Sequence, residues 1–276
     1  MPKAGPEQSR SIDEYRMAVA AFHEVCRLIL LAFAKYDLDL KNLTLRNFVA
    51  RAAMMVRGIM NLWDLKDFQD CWILFRSMLD RLFHLVDIDE NNRYESFDDW
   101  SFYEQYKFYH VMRSDTQFPD AANSQRPPTA NEKARYDKLS KAPPKWKRPK
   151  AEDVAKSLDL PFLYKYGYDI ASTHVHPMAN DGLQDFFSIT NLEPPRNFPD
   201  QRSVLQDSLL VGCLIVENSL SRCDFEWLGV IKRFFDSLMS HLNDGSDGYM
   251  DALLMATQMM ASETNLCRPK SESEKG

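Results

Sequence analysis

Between Leu65 and Asp87 the chain is apolar nearly all the way round a helix: Phe68, Trp72, Phe75, Leu79, Leu82, Phe83 and Val86 cover most of its circumference. A surface helix carries one apolar stripe, whereas a helix apolar on every side must be enclosed by other elements. This segment therefore requires a bundle with neighbours on several sides, and the flanking sequence supplies them. Tyr15, Val19, Phe22, Cys26, Ile29, Leu30 and Phe33 recur at helical spacing behind a capping Ser11. Phe48, Ala52, Met55, Ile59 and Trp63 do the same after Thr44, and an aromatic-rich helix is expected from Ser96 to near Arg113. One long helix is expected from Asp200 or Arg202 to near His241, and a last one from Gly248 to Ser262. With 9 glycines in 276 residues the chain is poor in the residue that tight hairpins need. The expected fold is all-α: a single-domain helical bundle of six or more helices with long irregular connections. The bundle should span 11–262, with a proline-punctuated surface excursion at 115–150 and disordered tails at 1–10 and 263–276.

A net charge of −6 argues against wholesale coating of nucleic acid and leaves room for one local basic patch. That patch is the stretch Lys133 to Lys150, where Lys133, Arg135, Lys138, Lys141, Lys145, Lys147, Arg148 and Lys150 are interleaved with Tyr136 and Trp146. Cations mixed with rings suit RNA or single-stranded DNA; the same composition also describes a solvated loop. The five cysteines are scattered without a CxxC pair, as reduced core thiols of a cytoplasmic protein would be. No apolar run approaches the length of a bilayer span. There is no glycine-rich phosphate loop and no zinc-finger spacing, so no cofactor is expected.

Two polar columns interrupt this apolar pattern. Arg76, Asp80 and His84 follow one another at four-residue steps, and so do Tyr168, Ser172 and His176. On a helix such a column drifts only about 40° per step and keeps to one face. Pro177 disfavours helical geometry at His176, so the second helix should end there. The two columns are expected to meet as one hydrogen-bonded layer of Arg76, Asp80, Tyr168, Ser172 and His176. If the layer is structural, it holds two central helices in register. Losing Arg76 or Asp80 alone should then cost about 3–5 kcal/mol, and replacing both by apolar residues should be nearly neutral. If it lines a pocket, His176 is a general acid or base, Arg76 an anion clamp and Asp80 an orienting group. A metal site from His174, His176, Asp80, His84 and Asp181 needs the helix to have ended, because residues two apart on a helix diverge. A serine-hydrolase triad of Ser172, His176 and Asp80 lacks a nucleophile elbow.

The run from Asp70 to Asp80, followed by Tyr168-x3-Ser172-x3-His176-Pro177, resembles a bacterial family of helical proteins described only as a domain of unknown function. The similarity covers Phe22 to Phe187, with Asp80 standing where the family has glutamate. Its members resemble in turn the HEPN superfamily, helical bundles that include metal-independent ribonucleases of toxin and phage-defence systems. The signature there is an arginine followed by four to six residues and a histidine. Arg16 and His23 meet that spacing, with Met17 where a small polar residue is usual; His174 and His176 do not. The resemblance implies a cytoplasmic, defence-associated effector cleaving RNA without metal; the polar columns supply its expected site, Arg76, Asp80, Tyr168, Ser172 and His176, and the stretch Lys133 to Lys150 would hold the strand. The other expectation is a non-catalytic helical module that binds a small ligand or a protein, which includes a second copy of this chain.

Overall fold

The computed structural model describes residues 10–114, 126–176, 179, 182–193, 201–262 and 264–271. The N-terminal tail 1–9, the prolines at 119 and 177, Asp181 and the last five residues lie outside that set. Among the described residues the fold is all-α apart from a two-stranded sheet. It divides into two compact units, one formed by residues 1–86 with 150–276, the other by residues 87–149.

In the first unit, α1 (Ile12–Phe33) starts at a capping box. The Ser11 hydroxyl accepts from the Glu14 N–H, and the Glu14 carboxylate accepts from the Ser11 N–H. α2 (Leu40–Asp64) is capped by Asp39 and packs against α1. α3 (Phe68–Glu90) follows, its side chains at Cys71, Phe75, Met78, Leu79, Leu82 and Phe83 almost wholly buried. The opposite arc, Ile73, Ser77, Asp80 and His84, is exposed or half-buried, so α3 buries one broad face and not its whole circumference. After the second unit come α6 (Ala151–Ser157), a π-helix (Leu163–Tyr168), α7 (Asp169–Thr173) and α8 (Leu183–Thr190). α9 (Ser203–Arg222), α10 (Gly229–Asp244) and α11 (Tyr249–Ala261) complete the core, where Phe22 and Phe235 meet edge to face at 6.3 Å. α9 crosses α2 closely because Gly212 has no side chain: a Cβ there would lie 2.8 Å from Val56 and 3.0 Å from Phe22. Among the described residues α9 is the one helix long and apolar enough to cross a membrane. Of its apolar window 61% is buried inside the protein, as in a core helix. All five cysteines are buried free thiols.

The expected single helix from Arg202 to His241 is broken at Cys223. Residues Phe225–Trp227 form strand β1, which pairs antiparallel with β2 (Cys267–Pro269), Glu226 facing Arg268. Long-range partners account for the break. The Asp224 N–H donates to Asn42 Oδ1 and the Asn42 amide donates back to the Asp224 carboxylate. The Leu228 and Lys270 N–H groups donate to Leu266 and Asp224. Phe225 also packs against Phe33 and Tyr36. Together these satisfy backbone groups that a continuous helix would have bonded internally. The same strand corrects the expected C-terminal tail, since residues 264–271 are held to the core and Tyr36 donates to the Cys267 carbonyl at 2.9 Å.

The second unit is larger than the expected excursion at 115–150, because it takes in α4 (Tyr94–Ser114) together with α5 (Ala130–Lys141). Aromatic contacts hold it together. Tyr136 of α5 stacks on Tyr103 and Tyr106 at 5.5 and 4.4 Å. Trp146 is buried against Phe97 and Trp100 at 5.1 and 4.5 Å. Arg135 pairs with both Asp98 and Asp99 and lies 4.3 Å above the Phe102 ring.

Candidate functional site

The polar site lies in the first unit, where the π-helix and α7 meet α3. In the π-helix the Asp169 N–H reaches back five residues to the Tyr164 carbonyl, which widens the turn. Gly167 allows this turn to sit directly on α3, since a Cβ there would come within 3.3 Å of Leu79. Tyr168 is thereby carried over Arg76, whose guanidinium carbon lies 3.1 Å from the ring centroid. Tyr164 and Phe83 flank the ring at 5.6 and 5.9 Å. Arg76 Nε donates to Ser172 Oγ at 2.9 Å, and that hydroxyl donates to the Tyr168 carbonyl at 2.6 Å. Arg76 Nη1 lies 2.6 Å from Asp80 Oδ2, yet its N–H is not aimed along that line, so the pair is an ion contact and not a linear hydrogen bond.

Arg76, Asp80, Tyr168 and Ser172 are thus brought together, and His176 is not. α7 ends at Thr173. The His174 and Val175 N–H groups then bond three residues back, to Ala171 and Ser172, which turns the chain off the helix before His176. The His174 ring stacks on Trp72 at 5.7 Å with 10° between planes, and the Gln69 amide donates to the His174 carbonyl at 3.5 Å. His176 is exposed and makes no hydrogen bond, ion pair or ring contact among the described residues. The Trp72 stack takes the neighbouring histidine instead. Trp72 is in turn fixed by its indole N–H on the Gln201 side chain at 2.8 Å, a link that four-residue spacing could not reveal.

Arg76, with 15% of its side chain exposed, has its charge met by Asp80, one donor met by Ser172 and one face covered by Tyr168. Ser172 spends its proton on a backbone carbonyl, so it offers no free nucleophile. Among the described residues no three His, Cys, Asp or Glu side chains gather to hold a metal ion; Asp181 is outside that set.

The basic stretch also differs from its sequence reading. Tyr136 and Trp146, expected to stack on bases, face the α4 rings, and Arg135 is committed to two aspartates. Lys133, Lys138, Lys141, Lys145, Lys147 and Arg148 are exposed, and no ion pair or hydrogen bond engages them among the described residues. At about 100° per residue, Lys133, Lys138 and Lys141 fall on the arc of α5 away from its buried Leu139, together with one carboxylate, Asp137. Lys145 and Lys147 flank the buried Trp146, which anchors them to α4. Lys150, at the end of the expected basic stretch, is the N-cap of α6.

Residues 42–193 match the model of a family described as a family of unknown function, DUF5677. The match takes in every member of the polar site and the whole basic stretch. No curated protein and no solved structure matches the chain. The HEPN likeness expected from the sequence is carried by none of these comparisons.

Proposed function

The chain belongs to the DUF5677 family, and from its own geometry we propose a non-catalytic helical module that binds RNA through the basic face of its second unit. One observation carries this reading: among the described residues, six exposed cations between Lys133 and Arg148 lack acidic partners, while the aromatics among them point inward. Cations without counter-charges bind the phosphate backbone, and rings turned inward cannot stack on bases, so binding should not depend on sequence. The Arg76 layer then serves structure, clamping the π-helix and α7 to α3. A metal-independent ribonuclease at that layer lacks its proton carrier, because His176 stands outside the set and Ser172 is already bonded to the backbone.

The test is fluorescence polarisation of labelled RNA in EDTA with the full chain, followed by gel analysis of the recovered RNA. Binding should weaken at least tenfold in a Lys138→Glu, Lys145→Glu, Lys147→Glu triple variant, and the RNA should stay intact. Unchanged binding in the triple variant would refute the basic face. Cleavage in EDTA that His176→Ala abolishes would restore the ribonuclease reading.

A further inference from the structure

A second concentration of positive charge lies in the first unit, on the face that α2 and α3 share. On α2 the cation on that face is Arg51, and the helix has no carboxylate before Asp64. The two helices run antiparallel. Cys71 Sγ donates to the Ile59 carbonyl at 3.4 Å, and a Cβ on Gly58 would meet Leu74 at 3.1 Å. About two turns on from the Gly58–Leu74 contact along each helix, Arg51 stands across from Arg81.

Arg81 is half-buried. Its Nη1 donates to the Ser77 carbonyl at 2.9 Å and to the Ser77 hydroxyl at 2.6 Å. Those bonds fix one arm of the guanidinium; its other N–H groups make no hydrogen bond, and no carboxylate pairs with it, among the described residues. Asp80, the adjacent acid, is committed to Arg76. Burial pushes the Arg81 pKa down, the Arg51 charge pushes it further the same way, and Asp80 opposes both. An arginine cannot relieve such repulsion by releasing its proton, so the pair calls for an anion.

We propose that Arg51 and Arg81 form a binding site for a dianionic phosphate, either inorganic phosphate or a phosphomonoester. Charge and donor count select this class. Two guanidinium forks bring two positive charges and several planar donors, and a phosphate group near neutral pH carries about −1.5 to −2 with three acceptor oxygens. A carboxylate or a phosphodiester, with a single charge, leaves one guanidinium uncompensated. Ser77 serves as a positioning residue, holding one arm of the Arg81 guanidinium. The site belongs to the first unit and stands whether or not the second unit binds RNA.

The experiment is thermal unfolding of the full chain across a titration of sodium phosphate, against sodium chloride of matched ionic strength. The melting temperature should rise with the logarithm of phosphate concentration beyond the chloride control, and the rise should vanish in both Arg51→Met and Arg81→Met. If Arg81→Met fails to fold, Arg51→Met, at an exposed position, decides alone. No phosphate-specific rise, or a rise that persists in Arg51→Met, would overturn the site. An equal rise with sodium acetate would overturn the dianion assignment. So would an Arg51-dependent rise with an oligonucleotide lacking terminal phosphates, since its only phosphates are diesters.

Discussion

Removing Arg76 and Asp80 one at a time and together tests the structural role of the polar layer, and the geometry sets the expected sizes. Arg76→Met deletes a charged hydrogen bond to Ser172 and the cation over Tyr168, and it leaves the Asp80 carboxylate without its partner. Asp80 has 37% of its side chain exposed, so water takes over most of the lost solvation. The cation–π contact and the hydrogen bond then dominate, at about 2–3 kcal/mol together. Asp80→Leu leaves Arg76 more covered but still bonded to Ser172 and capped by Tyr168, so the cost should be about 1–2 kcal/mol. That value falls between the small worth of exposed ion pairs and the larger loss on breaking buried ones. Sequence alone suggested about 3–5 kcal/mol for either change, on the premise of full burial; the opening at Asp80 lowers both. In the double variant neither charge is orphaned, so its cost should fall short of the sum of the singles by about 1 kcal/mol. Urea unfolding at pH 7, followed by tryptophan fluorescence and compared at equal slope, gives the cycle. Strict additivity, or a neutral Arg76→Met, would refute the clamp.

Asp207 on α9 accepts no hydrogen bond among the described residues, and burial pushes its carboxyl up to about 6. A carboxyl whose folded pKa exceeds its unfolded value loses stability as pH rises from about 4 to about 6 and stays destabilising above. Asp207→Asn should therefore raise stability at pH 7 by about 1–3 kcal/mol and flatten the pH profile in that window; melts from pH 4 to 8 check it, and a lower melting temperature at pH 7 would count against it. Gly212→Ala should cost about 1–3 kcal/mol or more, because its methyl would press on Val56 and Phe22 where α9 crosses α2; a neutral urea midpoint would contradict that packing.

How far the sequence could be read depended on whether a feature was decided locally. The heavy burial of α3 follows from its many apolar residues, though Ile73 on its other arc stays exposed, and the meeting of Arg76 with Tyr168 and Ser172 follows from matched four-residue columns. His176 continues that column in sequence, yet the Trp72–His174 stack and the turn bonds at residues 174 and 175 take the chain off the helix first. The break at Cys223 was hidden for a similar reason: Phe225 and Leu228 keep the helical period, and the deciding partners, Asn42 and Leu266, lie far away in the chain. Composition marked Trp146 and Tyr136 as aromatic neighbours of lysines but could not say which way they point. The facing of Arg51 and Arg81 depends on the register of two helices, which the Gly58–Leu74 contact supplies.

Backbone binding by cations that no carboxylate meets among the described residues is tested most directly by the salt dependence of RNA affinity. Each phosphate neutralised on a single strand contributes about −0.7 to the slope of log affinity against log salt concentration. With six such cations between Lys133 and Arg148, the slope should reach at most about −4. It should be alike for unrelated sequences and become shallower by about 2 in the Lys138→Glu, Lys145→Glu, Lys147→Glu variant. A slope near zero, or strong preference for one RNA sequence at constant salt, would contradict it.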